Sequence, residues 1–132
     1  MVNLMRIEAG WQPKVIIDLK PGVYRFNNSS ASGKTFLVKR LTRIFPADPR
    51  IVLYTYEDYL RGINVYFDDP NKCELLILDR CYLYSHDEKI QEAVKLAPPG
   101  AIVIADLKES SGICADHTVS IVRTIGKLEV CL

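Results

Sequence analysis

The chain has 132 residues, 48% of them apolar and 25% charged, which fits a single domain spanning 1–132 with one core. Lys and Arg number 17 against 16 Asp and Glu, so nucleic acid is not indicated by net charge, nor is an anionic membrane surface. No apolar run approaches the roughly 20 residues needed to span a bilayer, and residues 1–10 lack the apolar centre and cleavage site of a leader, so a cytoplasmic protein is expected.

In chain order, the β-branched run Lys14–Leu19 predicts a strand. Lys20-Pro21-Gly22 has turn chemistry, and 23–26 resumes as a second strand, expected to pair antiparallel with the first. A polar loop follows, and then a helix over Lys34–Ile44, with Phe36, Leu37, Leu41 and Ile44 at helical spacing and Pro46 closing it. Ile51–Tyr54 is a strand and 57–61 one helical turn ended by Gly62. Leu75–Leu78 is an unbroken apolar run, as a strand buried on both faces reads.

Asp87 caps a second helix over 87–97, which Pro98-Pro99-Gly100 stops. Residues 101–105 form another buried strand ending at Asp106. The segments 118–123 and 127–131 predict a hairpin turning near Ile125-Gly126. Strands alternating with helices give a parallel core with right-handed crossovers. Cys73, Cys81, Cys114 and Cys131 form no C-x-x-C pair, so buried free thiols in a reducing compartment are expected rather than a zinc site.

The chemistry concentrates in Asn28-Ser29-Ser30-Ala31-Ser32-Gly33-Lys34-Thr35, where strand gives way to helix. Apart from Asn28 in place of the first glycine, this fits the Walker A pattern G-x-x-x-x-G-K-[ST] of the phosphate-binding P-loop. Convergent backbone N–H groups there make an anion-binding concavity, and the helix N-terminus adds roughly 0.3–2 kcal/mol toward an anion. Lys34 is expected to reach the β- and γ-phosphates of ATP or another nucleoside triphosphate. Asp79, after four apolar residues, fits a Walker B aspartate that would hold Mg²⁺ together with the Thr35 hydroxyl.

The position after Asp79, where many such hydrolases carry a catalytic Glu, is Arg80, which cannot act as a base. Asp87, Asp106 and His117 are the candidate substitutes, each with a plainer structural role, so weak or absent hydrolysis is expected. The catalytic residues stay unassigned.

The order of these features resembles a minimal, degenerate ABC-type ATPase domain, the group that includes SMC- and RecF-like proteins. Residues 15–28 are similar to the strands leading into that family's P-loop, 75–79 to its Walker B strand, 101–105 to the strand after it, and 118–130 to its closing hairpin. The resemblance implies a three-layer α/β P-loop fold with a mostly parallel central sheet flanked by antiparallel strands, and ATP with Mg²⁺ as ligands. The chain has no L-S-G-G-Q signature and no helical insertion between the Walker motifs.

Asp79-Arg80-Cys81-Tyr82-Leu83-Tyr84-Ser85 is also similar to the D-R-Y…S segment of deoxynucleoside kinases, which implies a phosphotransferase with Arg80 on substrate phosphate. Tyr54, Tyr56, Tyr59, Tyr66, Phe67, Tyr82 and Tyr84 cluster near the carboxyl edge of the strands. They read either as core and rim packing or as a platform for a base or a protein partner. The expected function is nucleoside-triphosphate binding. The alternative is a non-catalytic interaction or inhibitor protein that keeps the same loop.

Overall fold

The computed structural model describes residues 5–10, 14–26, 33–67, 69–108 and 113–132. Among them are eight strands: β1 (Met5–Ala9), β2 (Lys14–Leu19), β3 (Gly22–Phe26), β4 (Ile51–Tyr54), β5 (Leu75–Leu78), β6 (Ile102–Ala105), β7 (His117–Thr124) and β8 (Lys127–Cys131). Three α-helices accompany them, α1 (Lys34–Ile44), α2 (Tyr56–Leu60) and α3 (Glu88–Leu96), with 3-10 turns at Pro70–Lys72 and Cys81–Leu83. All the strands join one sheet in the order β1-β2-β8-β7-β3-β6-β5-β4.

Half of that sheet is a parallel block. β3 lies between β6 and β7 and runs parallel to both, while β5 runs parallel to β6 and β4. The sheet then continues through the antiparallel β7–β8 hairpin into β2, parallel to β8, and β1, antiparallel to β2. Thr124 pairs with Lys127 across the expected two-residue turn, where Gly126 takes φ 76°. β2 and β3, expected to pair with each other, do not: β3 is drawn into the parallel block, and β2 takes β1 and β8 as neighbours.

The expected three-layer α/β P-loop fold with a mostly parallel central sheet flanked by antiparallel strands is therefore corrected. The sheet curls into a half-barrel with few helices. The reason lies in how the two faces are covered. On one face Leu75, Ile77, Ile102, Ile104, Tyr24 and Phe26 meet Leu37, Val38 and Leu41 of α1, and the curl brings Val15, Ile17, Leu19, Val119, Leu128 and Val130 into the same core. On the other face Leu76, Leu78, Val103 and Ala105 pack with Ile90 of α3, Cys81 and Tyr84.

That second cluster stops at the parallel block. Across β2, β8 and β7 the outward positions include exposed Asp18, Thr118 and Val122 and half-buried Lys14 and Glu129, so no helix among the described residues covers them. Strand pairing and curvature enclose the core there instead. The alternation of apolar-in and polar-out residues along β2 and β8 is that of a sheet with one wet face.

The helices begin and end for local reasons. Leu37 donates its backbone N–H to Gly33, the first helical bond of α1, and Phe45 donates to Leu41 before Pro46 ends it. Gly33 takes φ 84°; a Cβ there would meet Arg123 and Ile121 only at ordinary contact distance, so backbone conformation rather than space calls for glycine. Thr55 and Asp58 form a reciprocal capping box on α2, which starts one residue earlier than the sequence predicts. Asp87 caps α3 as expected, accepting from the Lys89 backbone N–H at 2.9 Å. No helix among the described residues is long and apolar enough to cross a membrane.

Ile77 is fully buried in β5 between two strands and beneath α1. Ile77→Ala should cost roughly 2–5 kcal/mol, read as a lower urea midpoint at unchanged slope.

Candidate functional site

Two strands of the parallel block end toward one place. β5 ends before Asp79 and β6 before Asp106, and both strands are buried along their whole length. The two carboxylates are consequently 5% and 4% exposed. Their backbones are tied in as well: the Asp79 N–H donates to the Tyr54 carbonyl, and the Asp106 N–H donates to the Leu78 carbonyl.

Lys34, the first residue of α1, answers this buried charge. Its Nζ donates to Asp106 Oδ1 at 2.9 Å, spanning 72 residues of sequence. Arg80 Nε stands 3.8 Å from Asp79 Oδ2. Burial is the largest influence on Asp79 and lifts its pKa above the ordinary carboxylate value; Arg80 and Lys34 oppose that lift, while Asp106 and Glu57 reinforce it. A buried acid that holds its proton more tightly thus stands near a lysine bonded to a second acid.

Around this cluster the polar groups are uneven in their commitments. Among the described residues α1 has no side-chain cap at Gly33 and no acidic residue in its own first turn. Thr35 is exposed. Asn28, Ser29, Ser30, Ala31 and Ser32 lie outside the described residues, so of the expected loop the structure places Gly33, Lys34 and Thr35. Among the described residues no group of three or more His, Cys, Asp or Glu side chains is placed to hold a metal ion.

Arg80 is the residue whose role the sequence obscured. Its backbone is left-handed at φ 50°, uncommon for a residue with a Cβ. Its guanidinium pairs with Glu57 of α2 and lies over the Tyr56 ring, 5.6 Å from the centroid. The same contact holds the Glu57 carboxyl below its ordinary value. Sequence reasoning missed Glu57; a carboxylate one helical turn past a strand end carries no distinguishing signal by itself.

The expected substitutes for a catalytic base separate. Asp87 is spent on capping α3 and on accepting from the Tyr59 hydroxyl at 3.0 Å, and these bonds lower its pKa. His117 sits beside Tyr24, ring centroids 6.1 Å apart, and lines a cavity with Lys20, Pro21 and Gly22 at the amino end of β3, away from Lys34. Only Asp106 joins the cluster, and there it binds Lys34.

The tyrosines divide between core and rim. Tyr84 is fully buried and donates its hydroxyl to the Asp79 carbonyl at 2.6 Å. Tyr59 stacks on it at 5.1 Å and Tyr56 at 6.3 Å, while Tyr54 meets it edge-on at 5.6 Å. Tyr66 is exposed. Cys73 and Cys81 are buried, and burial pushes their thiols up to about 11 and about 12, so neither is a nucleophile near neutral pH.

Comparison with family models, with curated proteins and with solved structures finds no match.

Two expectations follow from the buried carboxylate. Because folding raises the Asp79 pKa, its contribution favours the fold below the unfolded carboxylate value and is lost as pH rises through the folded one. Asp79→Asn should therefore be more stable than the parent at about pH 7 and lose less stability between roughly pH 4 and pH 7 in urea titrations. Tyr84→Phe, which leaves the Asp79 carbonyl without its donor, should cost about 0.5–1.5 kcal/mol in the same assay.

Proposed function

We propose that this chain binds a nucleoside triphosphate, as its Mg²⁺ complex, at the amino end of α1. The observation that carries the proposal is the convergence of Lys34, Asp79 and Asp106, with Lys34 Nζ 2.9 Å from Asp106. Triphosphate oxygens would compete with Asp106 for Lys34, and the uncapped first turn of α1 would add backbone N–H donors. Thr35 and Asp79 would be the protein's contribution to the metal. Mg²⁺ would supply charge neutralisation at the phosphates and favour the ionised form of Asp79.

Turnover is proposed to be weak or absent. Arg80 stands where a general base is needed, Glu57 is held by Arg80, and Asp87 by its cap. Losing such a base typically costs roughly 10²–10⁴ in rate. The kinase-like alternative requires Arg80 on substrate phosphate, and its pairing with Glu57 and Tyr56 weighs against that use. All four cysteines are free thiols, which supports a reducing, cytoplasmic setting.

A second proposal, a protein that acts by occupying a partner, is favoured by one feature. Leu60, Ile63 and Tyr66 are 65%, 49% and 73% exposed beside the tyrosine stack. The two proposals are compatible if nucleotide binding is kept and turnover is not.

Calorimetric titration with Mg-ATP and Mg-GTP should yield binding heat with the parent protein. Lys34→Ala should weaken association by at least about tenfold, about 1.4 kcal/mol, measured at a temperature where circular dichroism shows this destabilised variant still folded. Equal heats from parent and variant would overturn the nucleotide proposal. Phosphate release that disappears in Lys34→Ala would instead overturn the weak-turnover part.

A further inference from the structure

Net charge averages over the surface, and here it conceals a concentration. The 11 residues of α1 hold Lys34, Lys39, Arg40 and Arg43 with no acidic residue among them. Beyond Lys34, the other three line an open groove of about 670 Å³ along the helix, together with Phe36, Val38 and Thr55. No carboxylate lines this groove among the described residues. Lys39 and Arg43 are exposed and one helical turn apart, so their charges stand on the same side of α1.

One end of the groove has a flat surface. The Arg123 guanidinium of β7 lies over the Phe36 ring, 4.6 Å from its centroid. Phe36 packs against the core beneath, which holds the ring in place. Arg123 is exposed, so a guanidinium held on this ring can offer its outer side to a nucleobase. Cations in a row beside a stacking plane and an apolar floor match the alternation of phosphate and base along an unpaired strand. A duplex would present phosphates but no free base face.

We propose that the basic groove of α1, with Lys39 and Arg43 on the phosphates and Arg123 stacked on Phe36 as the base platform, binds single-stranded nucleic acid. This site is distinct from the cluster of Lys34, Asp79 and Asp106, and the proposal does not depend on nucleotide binding there.

The test is fluorescence anisotropy of a labelled oligothymidylate about 20 nucleotides long, against a duplex of equal length and heparin as a polyanion without bases. The oligothymidylate should bind more tightly than the duplex, with affinity falling as salt rises. Lys39→Gln combined with Arg43→Gln should weaken it by at least about tenfold and lower the salt slope by about 1.4, at roughly 0.7 per phosphate contact on a single strand. The thermal midpoint and the Mg-ATP titration of that variant should stay at parental values, because neither residue belongs to the nucleotide cluster. Arg123→Ala should weaken oligothymidylate by about tenfold while leaving heparin nearly unaffected. Absence of oligothymidylate binding, affinity that survives loss of Lys39 and Arg43, or equal loss for heparin and oligothymidylate in Arg123→Ala would each overturn the proposal.

Discussion

Two aspartates end strands that have no solvent on either face, and the charge they carry has to be met inside the protein. Asp106 is met by Lys34 at 2.9 Å, and Asp79 by the more distant Arg80. A carboxylate left alone at such a depth would be severely destabilising, and removing one partner of a buried pair typically costs about 3–5 kcal/mol. The pair therefore fixes where α1 begins relative to β6. It ties the first residue of the helix to the far end of a strand that follows much later in the chain. The proposed nucleotide site draws on these same side chains, Lys34, Asp79 and Asp106, whose pairing the fold requires.

The surroundings of Asp79 are built to hold it still. Tyr84 binds its carbonyl from below, Tyr54 accepts its N–H, and the stacked rings of Tyr56 and Tyr59 close over the turn. Arg80 is forced into a left-handed backbone by this arrangement and finds compensation in Glu57 and the Tyr56 face. Such a turn is rigid because several independent contacts determine it together. The tyrosines thus serve packing first, while Leu60, Ile63 and Tyr66 beside them stay exposed.

The curl of the sheet follows from a difference between its halves. β5 and β6 are apolar at every position and need cover on both faces, which α1 and α3 provide. β2 and β8 alternate, and their outward positions tolerate water. A sheet with one dry and one wet half bends around its dry side, and the hairpin of β7 and β8 carries it past β3 without a helical crossover. This is why the three-layer expectation failed although most of the individual strands were foreseen.

Local chemistry was legible in the residues themselves. The unbroken run Leu75–Leu78 announced a doubly buried strand, Asp87 a cap, Ile125-Gly126 a two-residue turn, and Gly33-Lys34-Thr35 a helix start. Each depends on neighbours a few residues away, where propensity and periodicity act. Partner choice was not legible. The sequence showed that Lys14–Leu19 and Gly22–Phe26 are extended, and only the tertiary structure sent them to different neighbours. The pairing of Lys34 with Asp106, of Arg80 with Glu57, and of Arg123 with Phe36 likewise joins residues far apart in the chain. Such contacts are decided by which strands lie side by side and which charges are thereby buried, and that competition is settled only when the whole core packs.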